Sequence, residues 1–159
     1  MADPPGMEAV DPAGVVASFE TMARLYRSLW RLSQRQRRLI ETGDTAALMR
    51  VLGARQAILD RLKEIQPGVE RAVEGWRSQG SAMAAPIRQR IRELLDETSD
   101  LLKRVMAADT EDSQRLAVRR ATVADRLDRQ QQVEQAARAY RAASAVRRPD
   151  RLDLKDRSE

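Results

Sequence analysis

The stretch Arg38-Leu-Ile-Glu-Thr-Gly-Asp-Thr-Ala-Ala-Leu-Met-Arg-Val-Leu-Gly-Ala-Arg-Gln-Ala-Ile-Leu-Asp-Arg-Leu62 holds a turn between two helices. Gly43 has no Cβ, so it adopts without strain the left-handed conformation that ends a helix. Asp44 can accept backbone N–H bonds and start the next one. Upstream, Val15, Met22, Leu29 and Gln36 recur every seven residues, as do Leu25, Leu32 and Leu39. Together they give the alternating three-and-four spacing of an apolar helix face, with Gln36 as its polar exception. Downstream, Leu48, Val51, Arg55, Ile58, Leu62 and Ile65 repeat the pattern, and Leu52 and Leu59 widen it. A first helix over 15–42 and a second over 45–65 follow. So short a connection makes them antiparallel neighbours.

Prolines at 4, 5, 12, 67, 86 and 149 divide the rest of the chain. Residues 1–14 carry three of them and read as a disordered leader. Gln66-Pro-Gly68 is expected to break or sharply bend the second helix, because proline lacks the N–H donor and restricts its predecessor. A short helix with Val69, Val73 and Trp76 then follows, and residues 78–86 read as a loop. Ile87, Ile91, Leu94, Leu95, Leu101, Leu102 and Val105 line a long third helix. Beyond Met106 the apolar residues thin out, and Asp109, Glu111 and Asp112 interrupt the seam. Helix propensity nonetheless stays high to Ala145, so one helical domain over 15–145 with an extended C-terminal helix is expected. Residues 146–159 alternate charge and read as a disordered tail.

Composition agrees with an all-α fold, a helical hairpin packed on a long third helix in a coiled-coil-like bundle. The 159 residues include one Phe, two Trp and two Tyr, too few aromatics for a β-sandwich core of this size. There is no histidine and no cysteine, so zinc, haem and iron–sulfur ligation, disulfides and Ser-His-Asp or cysteine nucleophile chemistry are excluded. No apolar run reaches the roughly 18 residues of a membrane span, and the acidic N-terminus lacks the form of a signal peptide. A cytoplasmic protein without membrane insertion is expected.

Three features are candidates for function. Carboxylate pairs at helical spacing, Glu70/Glu74, Glu93/Glu97 and Asp96/Asp100, are interspersed with arginines and read as solvated faces; no catalysis and no cofactor are assigned. Arg24, Arg27, Arg31, Arg35, Arg37 and Arg38 surround Tyr26 and Trp30, a pattern that can grip a phosphate backbone. A net charge of only +5 and a chain-wide arginine preference, 26 against three lysines, argue against nucleic acid as the partner. Leu116, Val123, Leu127, Val133 and Tyr140 remain as a sparse apolar stripe on a helix with little to hold it down. Such a stripe either closes a homodimeric coiled coil or binds an amphipathic helix of another protein.

The segment 38–62, with its leucine-seamed helix, Gly-Asp hinge and Arg-Gln-x-Ile-Leu-x-x-Leu run, resembles the FlgN-type flagellar export chaperones, with the FliT-type chaperones a nearby second. The likeness extends over about 15–145. It implies a cytoplasmic chaperone, monomeric or homodimeric and without cofactor. Such a chaperone holds late export substrates, the hook–filament junction proteins, and hands them to the export apparatus. It also places partner binding in the C-terminal part, on Leu116, Val123, Leu127, Val133 and Tyr140. Asp109 and Asp112 stand where that family commonly has asparagines.

Overall fold

The computed structural model describes residues 10–146 of the chain. They form α1 (Pro12–Thr42), α2 (Thr45–Gln79), a single 3-10 turn (Gly80–Ala82) and α3 (Ala85–Val146), with no strand among the described residues. Two compact units divide the chain, residues 1–114 and 115–159. The first contains the three-helix bundle.

Each helix start and stop in the hairpin has a local cause. Asp11 caps α1, its carboxylate accepting from the backbone N–H groups of Ala13 and Gly14 at 3.1 and 3.0 Å, and Pro12 takes the first helical position. Proline is well suited there because the N–H it lacks has no intrahelical partner. The helix thus begins at Pro12, so the expected leader of 1–14 is too long by its last three residues; residues 1–9 lie outside the described ones. At the other end Gly43 sits at φ 77° and donates its N–H to the Leu39 carbonyl at 2.9 Å. Asp44 then accepts from the Ala47 N–H at 2.9 Å and opens α2.

Polar contacts fix the direction of each pair of helices. The Val10 N–H reaches the Gln79 side chain at 3.2 Å, and Arg55 donates to Ser33, so α2 runs against α1 along their whole length. Glu20 pairs with Arg90 at 3.0 Å and Arg27 with Glu97 at 2.5 Å. A step of seven residues on α1 therefore meets a step of seven on α3 in the same direction, which makes these two helices parallel. Arg37 and Glu111, 2.6 Å apart, continue the ladder.

The expected break at Gln66-Pro-Gly68 is absent: α2 is one helix through Pro67. A proline inside a helix costs about 3 kcal/mol. Packing offsets this cost. The three-and-four spacing of Val51, Arg55, Ile58, Leu62 and Ile65 continues in phase through Val69, Ala72 and Trp76, so a break would turn the later residues away from α1. Lys63, whose carbonyl loses its donor to the proline ring, is exposed and can be satisfied by water. The expected separate helix of Val69, Val73 and Trp76 is therefore the end of α2, and the long loop over 78–86 shrinks to the 3-10 turn and two linking residues.

The core is built from Val15, Phe19, Ala23, Ala72, Met83, Ile91 and Leu94, with the only phenylalanine fully enclosed. On α1 the buried rows are Val15/Leu29/Gln36 and Phe19/Ser33/Ile40, whereas Leu25, Leu32 and Leu39 are half-buried on the flank. A helix with two neighbours buries the arc between them, and that arc is centred one row over from the sequence-predicted seam. Gly75 allows the closest approach of α2 to the chain before α1, since a Cβ there would lie 2.6 Å from Val10 Cγ1.

Two glycine substitutions should therefore move stability in opposite directions. Gly53 has open space where a side chain would go, so Gly53→Ala should stabilise by about 1 kcal/mol through helix propensity alone. Gly75→Ala should destabilise by about 1–3 kcal/mol through overpacking. Pro67→Ala should stabilise by up to about 3 kcal/mol, because it restores a helical hydrogen bond without disturbing the seam. Urea unfolding of the three variants beside the wild type checks all of these.

Candidate partner-binding surface

In the second unit the α3 residues 115–145 are exposed, apart from a half-buried Ala137. Along this stretch Thr122 donates to the Val118 carbonyl, Gln130 to Glu134, and Ser144 to the Tyr140 carbonyl. Of the residues singled out by sequence, Leu116 is 39 % exposed, Val123 and Leu127 54 %, Val133 68 % and Tyr140 77 %. Val118, not singled out, is 67 % exposed.

These five residues do not form a single line. At about 100° per residue, Leu116, Val123 and Leu127 fall within roughly 40° of arc. Val133 and Tyr140 share a second row displaced by about 100–120°. The structure brings the first three together and separates the other two, so a partner touching both rows must cross the helix obliquely. The flanks are basic: residues 115–146 hold seven arginines and three acids, a net of +4. Burying each half-exposed Leu or Val would contribute on the order of 1–2 kcal/mol.

The acids that interrupt the α3 seam do not face solvent as a group. Asp112 is 1 % exposed; it accepts from Gln36 Nε2 at 3.0 Å and Arg37 Nε at 3.4 Å. Arg55 Nη2 grips both oxygens of Asp109 at 2.7 and 2.8 Å, while its Nη1 donates to Ser33. One helix supplies Ser33, Gln36 and Arg37, the second Arg55, and the third Asp109 and Asp112. Gln36 Oε1 is buried without a partner. The sequence pattern marks Gln36 as an exception and the two aspartates as interruptions, and counts Arg55 as part of its seam; the available signal is that polar residues fall at seam positions on all three helices.

The other two candidates are also placed. Within the arginine run, Arg27 and Arg37 are tied to acids of α3. Tyr26 and Trp30 are half-buried. Tyr26 lines a shallow cleft with Met22, Leu62, Ile65 and Val69, and Trp30 lines another beside Arg37, Arg38 and Ala108. No aromatic ring thus stands out from the run as a stacking platform. Of the carboxylate pairs, Glu97 is held by Arg27; that hydrogen bond keeps the Glu97 carboxyl below the usual carboxylate range, and the same bond raises Arg27. Among the described residues no group of Asp and Glu is placed to hold a metal ion, and no helix is long and apolar enough to cross a membrane.

The chain matches no family model, no curated protein and no solved structure.

Removing the Asp112 carboxylate leaves the buried Gln36 amide without its acceptor. Asp112→Ala should destabilise the bundle by roughly 1–3 kcal/mol, read as a lowered urea midpoint with unchanged slope. For Glu97 the direction with pH follows from its lowered pKa. Its contribution is fully present above the unfolded carboxylate pKa and is lost as pH falls through the folded value. Both partners are well exposed, which limits the effect to about 0.2–1 kcal/mol. The stability difference between wild type and Glu97→Gln should therefore be measurable at neutral pH and vanish in acid.

Proposed function

We propose that this protein is a chaperone of the flagellar export type. It would bind late export substrates of the hook–filament junction class in the cytoplasm through the apolar rows of residues 116–140. The observation that carries the reading is Leu116, Val123 and Leu127 on one bare helix face. Large apolar side chains in one row on an otherwise polar helix are what an amphipathic partner helix covers. The hairpin with its Gly43-Asp44 hinge is the second support, because the resemblance of residues 38–62 to the FlgN-type chaperones rests on that segment. Arginines beside the row favour a partner with acids flanking its own apolar face.

On this reading the protein does no chemistry. It shields a client helix from premature assembly and releases it at the export apparatus, for which moderate affinity is suitable. Because the segment is helical already, binding does not have to bear the cost of folding it, which otherwise amounts to about 2–5 kcal/mol.

The test uses the purified C-terminal segment of a hook–filament junction protein and the full chain, by calorimetry and by mass in solution. Wild type should bind; Leu127→Asp and Val123→Asp should abolish binding while leaving the melting temperature of the bundle unchanged. A wild-type dimer that Leu127→Asp converts to monomer, with no binding of the junction segment, would instead make the stripe a homodimer seam. Equal loss of stability and binding would assign it to the core.

A further inference from the structure

The solvent face of α1 differs from that of every other helix in the bundle. Between Arg24 and Arg38 six residues are exposed, and five of them are arginines: Arg24, Arg27, Arg31, Arg35 and Arg38; the sixth is Gln34. On α2, by contrast, the exposed charges mix Asp60, Glu64, Glu70 and Glu74 with Arg50, Arg61, Lys63, Arg71 and Arg77. A chain-wide preference for arginine over lysine explains which base is used, not why acids are missing from one face. No acid occurs on α1 between Glu20 and Glu41.

Internal pairing consumes only part of this charge. Arg27 is bound to Glu97, and Arg31 donates to Ser28 at 3.0 Å. Arg24, Arg31, Arg35 and Arg38 have no acidic partner among the described residues. At 100° per residue these four lie within about 60° of arc and span about 21 Å of helix. They form one straight cationic line, with steps of seven, four and three residues, on a helix held on its other sides by α2 and α3. The uncompensated repulsion along the line is a standing cost to the bundle that an anionic partner would remove.

We propose that this line docks an acidic helix of a protein partner, its carboxylates repeating at the same steps of seven, four and three. The steps are those shared by two helices lying side by side, where charges on the flanks of one meet those of the other. Arginine forms two parallel hydrogen bonds to a carboxylate, which sets register as well as attraction. Single-stranded nucleic acid fits this face poorly, because Tyr26 and Trp30 are half-buried between helices and no ring stands on the line for a base to stack on. The site is independent of the apolar rows at 116–140 and of the reading built on them.

The probe is a helical alanine-glutamine peptide with four glutamates at these steps on one face. A second peptide carries the four spread around the helix, and a short DNA duplex is the third ligand; all are titrated into the full-length protein at low salt. The aligned peptide should bind at least about tenfold more tightly than the spread one. Arg31→Gln with Arg35→Gln should weaken it by about tenfold or more, whereas Arg61→Gln on α2 should not change it. Both variants alter exposed residues, and an unchanged melting temperature verifies the fold. Equal affinity for the two peptides, tighter binding of the duplex than of the aligned peptide, or no peptide binding would each overturn the proposal.

Discussion

Two residues, Gly43 and Asp44, separate α1 from α2, and the architecture of the bundle depends on that brevity. With no slack, the second helix must return along the first, and the left-handed Gly43 sets the angle at which it does so. Once the hairpin is closed, its apolar rows face a common groove, and α3 fills it. The charge pairs Glu20–Arg90 and Arg27–Glu97 then select one register for α3 among the several that an apolar groove would accept. As exposed pairs they add little stability, but a seven-residue slip would place like charges together. They specify more than they stabilise.

The polar layer of Ser33, Gln36, Arg55, Asp109 and Asp112 works on the same principle from inside. Replacing buried charged groups by apolar residues of similar volume is often neutral or stabilising, so such a layer is not chiefly a source of stability. What the layer adds is a requirement that three helices arrive at one level with donors and acceptors opposed, since any other alignment leaves a buried charge or amide unpaired. The unpartnered Gln36 Oε1 shows how closely such a network is balanced.

Among the described residues, two exposed surfaces stand out, and their chemistry is different. Residues 116–140 present exposed Leu and Val in rows, a surface matched by apolar partners. The outer face of α1 presents arginine without acid, a surface matched by carboxylates. Binding at the first should depend weakly on salt and at the second strongly, because exposed charges are screened within about 10 Å at ordinary ionic strength whereas apolar burial is not.

How far the amino-acid order alone reached can be judged residue by residue. The turn at Gly43-Asp44, the seams of α1 and α2, the apolar length of α3 and its polar interruption were all legible, because helical spacing and capping are local. Pro67 was misread for the same reason: a local rule predicts a break, and only contacts with α1 far along the chain outweigh it. Leu25, Leu32 and Leu39 ranked as core until the positions of two neighbouring helices moved the buried arc toward Phe19 and Ile40. The sparse stripe beyond Met106 was visible as a list of residues. Its division into two rows follows from helix geometry, and its exposure from the arrangement of the chain. Periodicity and caps, then, determined an all-α hairpin with a long third helix. Which polar residues would meet inside it, and which arginines would be left outside, depended on helices brought together from positions some seventy residues apart, and no local pattern encodes that.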